Sequence, residues 1–341
     1  MPALGARVTT TTQDFILPHL VDTVLNSNVF ASRMLKSAKR WSGSVIRFQV
    51  KISKNSSGTS FSGFDTFSTT ATNNRVNLSY DPKFYQITVA LPLDELAANQ
   101  TDAKVLDLAS VEMQSAAYDM ADDIGTLFFS DGTGNSSKDF LGLQAIVDDG
   151  TTAGTIGGQS RSTYTTLQST RTASGGTLTL ALMQTLYSAV SSGSQTPTSG
   201  YATEAVADFY EQLLNPQERI VKDVAAMKGG LVGGTGFKAL HFKGFPILAD
   251  EKVAPTQTLY FVNEDFIDFY ALPLPLTEAV KYKSVDYRGV DYSSVLGLGF
   301  SWSGWIKPSN QAAIVGHIYL GGELVTDNPK RHGRLTGITG V

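Results

Sequence analysis

The sequence predicts an α+β fold, on three observations. A long pair of alternating strand segments lies near the N-terminus, one unusually long amphipathic helix follows it, and the last third is rich in strand-forming runs. Of the 341 residues, 42% are hydrophobic, which describes a globular chain able to bury a large core. The length is generous for one core and suggests two or so domains.

The elements follow in chain order. Residues 1–40 open with Thr9–Thr12 and continue with Phe15, Ile16, Leu20 and Val24 at helix-face spacing, interrupted by Pro18. The sequence leaves two readings open, an arm packing against something else or a small helix docked on its own domain. In Ser44–Lys54, Ile46, Phe48, Val50 and Ile52 alternate with Arg47, Gln49, Lys51 and Ser53, a strand with one wet side. In Arg75–Leu91 the alternation resumes through Val76, Leu78 and Tyr80. It breaks at Pro82, which implies an edge strand or a bulge, and continues through Tyr85, Ile87, Val89 and Leu91. Together these segments form a two-stranded arm whose tip, Asn55–Asn74, is too long for a tight turn. An isolated ribbon is marginal in water and needs a surface to lie on, for which a second copy of the chain is the simplest choice.

From Thr101 to Asp131, Leu106, Ala109, Met113, Ala117, Met120, Ile124 and Leu127 form one apolar stripe. At ~1.5 Å per residue this helix measures roughly 42 Å and can serve as a spine. Thr101 suits its N-cap, and Asp131-Gly132-Thr133-Gly134-Asn135 is read as its stop, with the glycines supplying positive φ. Gly150–Gly176 reads as loops or short edge strands, Leu178–Ser192 and Asp208–Asn215 as helices, and Phe237–Asp250 and Thr258–Asn263 as strands. Gly229–Gly236 (GGLVGGTG) reads as a mobile loop. Glu278–Val285, Val295–Ile306 and Ala312–Leu320 read as antiparallel strands, and the segment from Val325 as a polar, basic tail.

Composition narrows the function. With 27 basic and 31 acidic residues the net charge is −4, unlike a protein whose task is gripping nucleic acid. The chain has no cysteine, so disulfides, thiolate nucleophiles and cysteine-based zinc sites are excluded. No secretory h-region and no run of 18 apolar residues occurs, so neither a signal peptide nor a membrane span is expected, and the sequons at Asn55, Asn77 and Asn135 carry little meaning. His19, His241, His317 and His332 are scattered without a metal-ligand spacing, and His317 reads as a hydrogen-bonded core residue. In GGTGFK at 233–238, Lys238 is followed by Ala239 where a phosphate loop needs Ser or Thr. DGTG at 131–134 occurs once and in the wrong order for an aspartic protease. Asp122-Asp123 reads as the wet side of the spine, and no Gly-x-Ser-x-Gly elbow occurs. No catalytic, metal or cofactor residues are expected. The feature that stands out is Phe61, Phe64 and Phe67 amid Gly, Ser and Thr in the arm tip. Each forgoes roughly 1.5–3 kcal/mol if left in water. Folding back on the arm competes with docking on neighbouring subunits, and docking is favoured because the loop has too little other apolar material to cover them.

The order of parts, with the arm Ser44–Leu91, the helix Thr101–Asp131, FFSDGTGNSSKDFLGLQAIVDDG at 128–150, GFPILADEKVAP at 244–255 and TLYFVN at 258–263, resembles the major capsid proteins of tailed bacteriophages, the HK97-like fold. The resemblance covers nearly the whole chain and is architectural. It implies an N-terminal arm (1–40), an extended loop with its strands (41–90), a peripheral domain with the spine helix (91–145), an axial domain (146–275), peripheral C-terminal strands (276–325) and a C-terminal tail (326–341). It implies subunits that form hexamers and pentamers of an icosahedral head around double-stranded DNA held without sequence-specific binding. A portal and a separate scaffolding protein would be its partners, since no long charged helical stretch precedes the arm. Localisation would be the virion, assembled in the host cytoplasm, with no membrane. Subunit-interface candidates are Phe61, Phe64, Phe67, Lys51, Lys54 and Arg75. Hinge candidates are Gly43, Pro82, Gly132 and Gly134. Axial-loop candidates are Gly229, Gly230, Gly233, Gly234 and Gly236. Some members cross-link a lysine of the loop to a neighbour's asparagine; Lys51, Lys54 and Asn310 have the residue types, but these are common and cross-linking is not expected. The alternatives are an encapsulin-like compartment shell and a phage tail or adhesion protein.

Overall fold

The computed structural model describes residues 28–41, 43–98, 112, 115–116, 119–214, 239–272 and 300–340. The chain begins there with α1 (Val29–Lys36) and β1 (Lys39–Arg40), then the arm strands β2 (Ile46–Lys51) and β3 (Arg75–Tyr80), then β4 (Lys83–Pro92) and α2 (Leu93–Ala98). The spine helix is helical over 119–128 and is followed by α3 (Leu143–Ile146). Short strands β5 (Thr155–Ile156), β6 (Gln159–Ser160), β7 (Thr170–Thr172) and β8 (Gly176–Thr177) lead to α4 (Leu180–Val190), β9 (Ser199–Ala202) and α5 (Glu204–Leu214). After these come β10 (Ala239–Phe242), β11 (Phe245–Ala249), β12 (Leu259–Val262), β13 (Ile267–Ala271), β14 (Phe300–Trp302), β15 (Ala313–Thr326), β16 (Gly333–Leu335) and β17 (Ile338–Thr339).

Two sheets organise the molecule. In the first, β15 pairs antiparallel with β4 along one edge and with β14 and β13 along the other, and β1 joins β13 in parallel. The second runs β10-β11-β9-β12-β16-β7. The alternation in β4 buries Val89 and Leu91 and exposes Phe84, Gln86, Thr88 and Ala90. The aromatic seam Phe30, Phe128, Phe129, Phe140, Phe269, Tyr201 and Tyr260 then joins α1, the spine helix and both sheets in one core.

The described part of the N-terminal arm docks on its own chain. Asn28 Nδ2 donates to the Ala121 carbonyl at 2.6 Å, and the Phe30 amide donates to Asp250 Oδ2 at 3.2 Å. Arg33 meets Glu264 at 2.7 Å. A residue from a distant loop thus supplies the N-terminal acceptor that α1 lacks locally. Close approach needs Gly125, where a Cβ would lie 2.4 Å from Asn28 Nδ2.

Several expectations are corrected. The second arm segment is two strands, not one: β3 pairs with β2, whereas β4, past Asp81-Pro82, pairs with β15. Proline lacks the ladder donor, so the chain changes sheets there. The spine helix ends at 128, before the glycines. Gly132 has φ 73 as expected, but Gly134 does not; the left-handed residues are instead Asn135, Ser136 and Ser137 (φ 49, 59 and 64). The segment expected as one strand, Phe237–Asp250, is a hairpin over its described residues, β10 to β11, turning at Lys243-Gly244. The helix expected over Asp208–Asn215 starts at Glu204, four residues early. Leu182 is only half buried, and the packed stripe of α4 is Met183, Leu186 and Val190. His317 is hydrogen-bonded, 3.0 Å from Thr88 Oγ1, yet lies half exposed on the outer face of β15. Among the described residues the buried histidine is His332, which burial pushes down to about 3 and so keeps neutral.

The polar, basic tail is the largest difference. Residues 333–335 lie between β12 and β7 inside the second sheet, and Arg334 is buried. Its Nη2 donates to Asp148 Oδ1 and, at 3.2 Å, to Thr152. Asp148, with no exposed surface, also accepts from the amides of Gly150, Thr152 and Ala153 at 2.9–3.0 Å. Arg161 and Arg171 approach it at 3.9 Å. Burial alone would raise the Asp148 carboxyl, but these three amides and Arg334 hold it below the usual carboxylate range. Burial pushes Arg161 down to about 10 against the attraction of Asp148. The Arg161 guanidinium is satisfied by the carbonyls of Ile146, Ala153 and Leu167.

Removing this carboxylate leaves buried guanidiniums uncompensated. Asp148→Ala should cost about 3–5 kcal/mol in urea unfolding of the unassembled subunit. Asp149→Ala, which loses a partly exposed pair with Arg171, should cost about 1 kcal/mol or less.

Candidate functional site

The site is the arm and its root. β2 and β3 pair from Ile46 opposite Tyr80 to Lys51 opposite Arg75. The ribbon keeps its apolar side, Ile46, Phe48 and Val50, half buried, and its root is set in the core through Leu78 and Tyr80. Phe48 meets Tyr80 and Tyr270 edge-on at 6.3 and 5.8 Å. The Tyr80 hydroxyl donates to the Thr326 carbonyl at 2.8 Å. The hairpin β5–β6 backs the free edge of β3: Ser79 N donates to the Gly157 carbonyl at 2.9 Å, and Gln159 Nε2 to Asn77 O at 3.0 Å. Gly157 sits at φ 53, where a Cβ would lie 2.7 Å from the Leu78 Cβ.

Beyond the root the arm stands free. Lys51 and Arg75 are exposed and directly opposed, a like-charge pair that disfavours the ribbon end unless an anionic group approaches. Lys54 is exposed as well. Asn55 gathers the neck of the loop, accepting from the Ser57 amide and from the hydroxyls of Ser57 and Thr72 at 2.8–3.1 Å. At the tip Asp65 accepts from the Ser62 amide at 2.8 Å. Phe61 and Phe67 pack edge to face at 5.2 Å but remain 68% and 59% exposed, and Phe64 is fully exposed at 105%. The tip therefore folds back on itself only in part. Beside the root lies a groove of about 390 Å³, lined by Val50, Leu167, Phe266, Pro329, Lys51 and Lys330 among others.

Of the hinge candidates, Gly43 has φ 100 in open space just after buried Trp41, whose amide donates to the Ala271 carbonyl at 2.7 Å. Pro82 marks the change of sheet, and Gly132 and Gly134 lie in the loop after the spine. Gly229, Gly230, Gly233, Gly234 and Gly236 lie outside the described residues, as do Lys238, Thr101–Val111 and Glu278–Val285. Among the described residues no group of His, Asp and Glu could hold a metal, and no helix is long and apolar enough to cross a membrane. Sequence reasoning missed Lys83 and Glu323. Lys83, first residue of β4, donates from Nζ to the Asp139 carbonyl and faces the buried Glu323 at 3.7 Å. An apolar run, Leu320 to Val325, gave no signal that a carboxylate inside it was placed.

The fold is shared with solved shell structures. The capsid of cyanophage A-1(L) is similar at 15% identity and a TM-score of 0.66, over 91% of this chain and 92% of that one. The capsid of a native GTA particle is similar at 11% identity and a TM-score of 0.56, over 91% and 90%. The SrpI encapsulin of Synechococcus elongatus PCC 7942 is similar at 13% identity and a TM-score of 0.50, over 91% and 87%. No family model matches the sequence, and no curated protein matches it. The chain is an α+β protein of the class that carries a two-stranded arm on a core of two sheets. Its fold is the HK97-like fold.

Since the Gly157 turn supports the arm root at van der Waals contact, Gly157→Ala should lower stability by more than about 1 kcal/mol, through both the positive φ and the Leu78 clash. Hydrogen exchange should report it first as faster exchange at the Ser79 amide.

Proposed function

We propose that the chain is a shell subunit, a major capsid protein that assembles into hexamers and pentamers of an icosahedral phage head around double-stranded DNA. The observation that carries this reading is the arm tip: three phenylalanines left largely exposed, on a fold shared with capsids over about nine-tenths of the chain. Large exposed apolar groups on an ordered element mark contact surfaces. Heterologous contacts that close a ring give finite assemblies, and several weak contacts per subunit add through effective concentration. In this reading Phe61, Phe64 and Phe67 seat on a neighbouring subunit, and Lys51, Lys54 and Arg75 meet acidic groups there. The segments 41–90, 146–275 and 276–325 act as extended loop, axial domain and peripheral strands, and GGLVGGTG at 229–236 belongs at the capsomer centre. A net charge of −4 suits a wall that encloses DNA without gripping it. Scaffolding and portal proteins are the expected partners, with assembly in the host cytoplasm before the subunit becomes part of the virion.

The second reading is a compartment shell carrying protein cargo, favoured by the likeness to an encapsulin over 91% of the chain. Electron microscopy of the purified chain tests both. Closed shells or capsomer rings support a shell, and nucleic acid or protein inside them separates the two. Only monomers or small fibres, even with phage lysate proteins added, would move the assignment to a tail or adhesion protein.

The triple variant Phe61→Ser, Phe64→Ser, Phe67→Ser should keep the wild-type circular dichroism spectrum and fail to sediment as particles. Normal particles from that variant would remove the arm tip from the assembly contact.

A further inference from the structure

Glu323 sits toward the end of β15 with 3% of its surface exposed. It touches two segments that converge with its own strand at the joint where the arm leaves the body. Its Oε1 accepts from the Leu141 amide at 2.6 Å, in the loop after the spine helix, and from its own neighbour Leu324 at 3.1 Å. Its Oε2 faces Lys83 Nζ at 3.7 Å. Lys83 immediately follows Pro82, where the chain passes from the free ribbon to the wall of the first sheet. The same ammonium donates to the Asp139 carbonyl, so it ties the joint to the post-spine loop from two directions.

We propose that Glu323 is a proton-operated clamp on the arm root: ionised, it holds Lys83 and fixes the direction of the arm, and protonated, it lets Lys83 go. The step is uptake of one proton from solvent on a carboxylate oxygen, with no other bond made or broken. The charged and titratable groups around the carboxylate decide its behaviour. From β4 comes Lys83, among the described residues its only ion-pair partner. From β3 comes Tyr80, whose hydroxyl is committed to the Thr326 carbonyl. Across the ladder in β13 stands Tyr270, and from the post-spine loop Asp139, whose carboxylate lies against Gly134. One cation at 3.7 Å and two amides are thin compensation for a buried charge, and an ion pair at this depth depends on both partners.

Burial pushes the Glu323 carboxyl up to about 7, against the pull of Lys83 and the two amides, so both protonation states are within reach near neutral pH. The folded value lies above the ordinary 4.5. The group's contribution to folding is therefore full below 4.5 and lost as pH rises through about 7, while the attraction for Lys83 runs the other way and grows over that interval. Moving Lys83 away raises the affinity of Glu323 for its proton. By reciprocity, protonation favours the arrangement with Lys83 away.

The absence of cysteine makes the test direct. Spin labels go on Ser62→Cys at the exposed arm tip and Ser188→Cys on the exposed side of α4, in the unassembled full chain. Electron-spin distance measurement is then made between about pH 5.5 and about pH 8.5, an interval bracketing the Glu323 transition. The expected result is a tip-to-body distance distribution that changes with a midpoint near neutrality. Glu323→Gln should give the acidic distribution at every pH, and Lys83→Met should do the same with the carboxyl still in place. A wild-type distribution that does not move, or the same titration persisting in Glu323→Gln, overturns the clamp. Because the labelled subunit is unassembled, failure to form shells and failure of the clamp are read separately.

Discussion

The antiparallel ladder between β4 and β15, from Pro92 opposite Ala313 to Lys83 opposite Gly322, is the constraint on which the arm depends. A two-stranded ribbon has too few contacts to hold a direction of its own. Here its second strand hands over, at Asp81-Pro82, to a strand paired with β15 along its whole length, in a sheet whose inner face buries Val89, Leu91, Ile318, Leu320 and Leu324. The arm tip is thereby free to present aromatic rings to solvent while its root is anchored to the core. Tyr80, Gly157 and Glu323 each brace that root from a different element.

A second fixed point lies at the far end of the chain. Asp148 gathers a loop of amides and the guanidiniums of Arg161, Arg171 and Arg334, so the last strands of the chain are tied to the segment just after the spine. Such a cluster stabilises little beyond a well-packed apolar alternative, but it is intolerant of losing one member. It therefore specifies where the C-terminal segment goes. The N-terminal side uses the same device at Glu264, which holds Arg33, Ser199 and Tyr201 and so positions α1 against the second sheet.

The candidate site was legible in part. The period-two pattern of Ile46, Phe48 and Val50 against Arg47, Gln49 and Lys51 marks β2, because a half-buried strand must show it. The three phenylalanines of the tip stand out because Gly, Ser and Thr around them offer no cover. Lys83 and Glu323 were not legible, since the lysine lies in a run of ordinary strand residues and the glutamate interrupts an apolar one. Their pairing spans 240 positions and exists only through the β4–β15 register.

By itself the sequence determined the α+β class, the arm, the packed stripe through Met120 and Ile124, and the lack of thiol chemistry, because local periodicity and composition carry those properties. The tertiary structure decided the rest. It moved the polar-looking tail into a sheet interior, since Arg334 and His332 are buried only where Asp148, Thr326 and Asn263 wait for them. It split one apparent strand into two at Pro82, because the choice of sheet depends on partners hundreds of residues away. It also turned an unremarkable glutamate into a buried charge at the arm's root, because burial is a property of the packed chain and not of the residue.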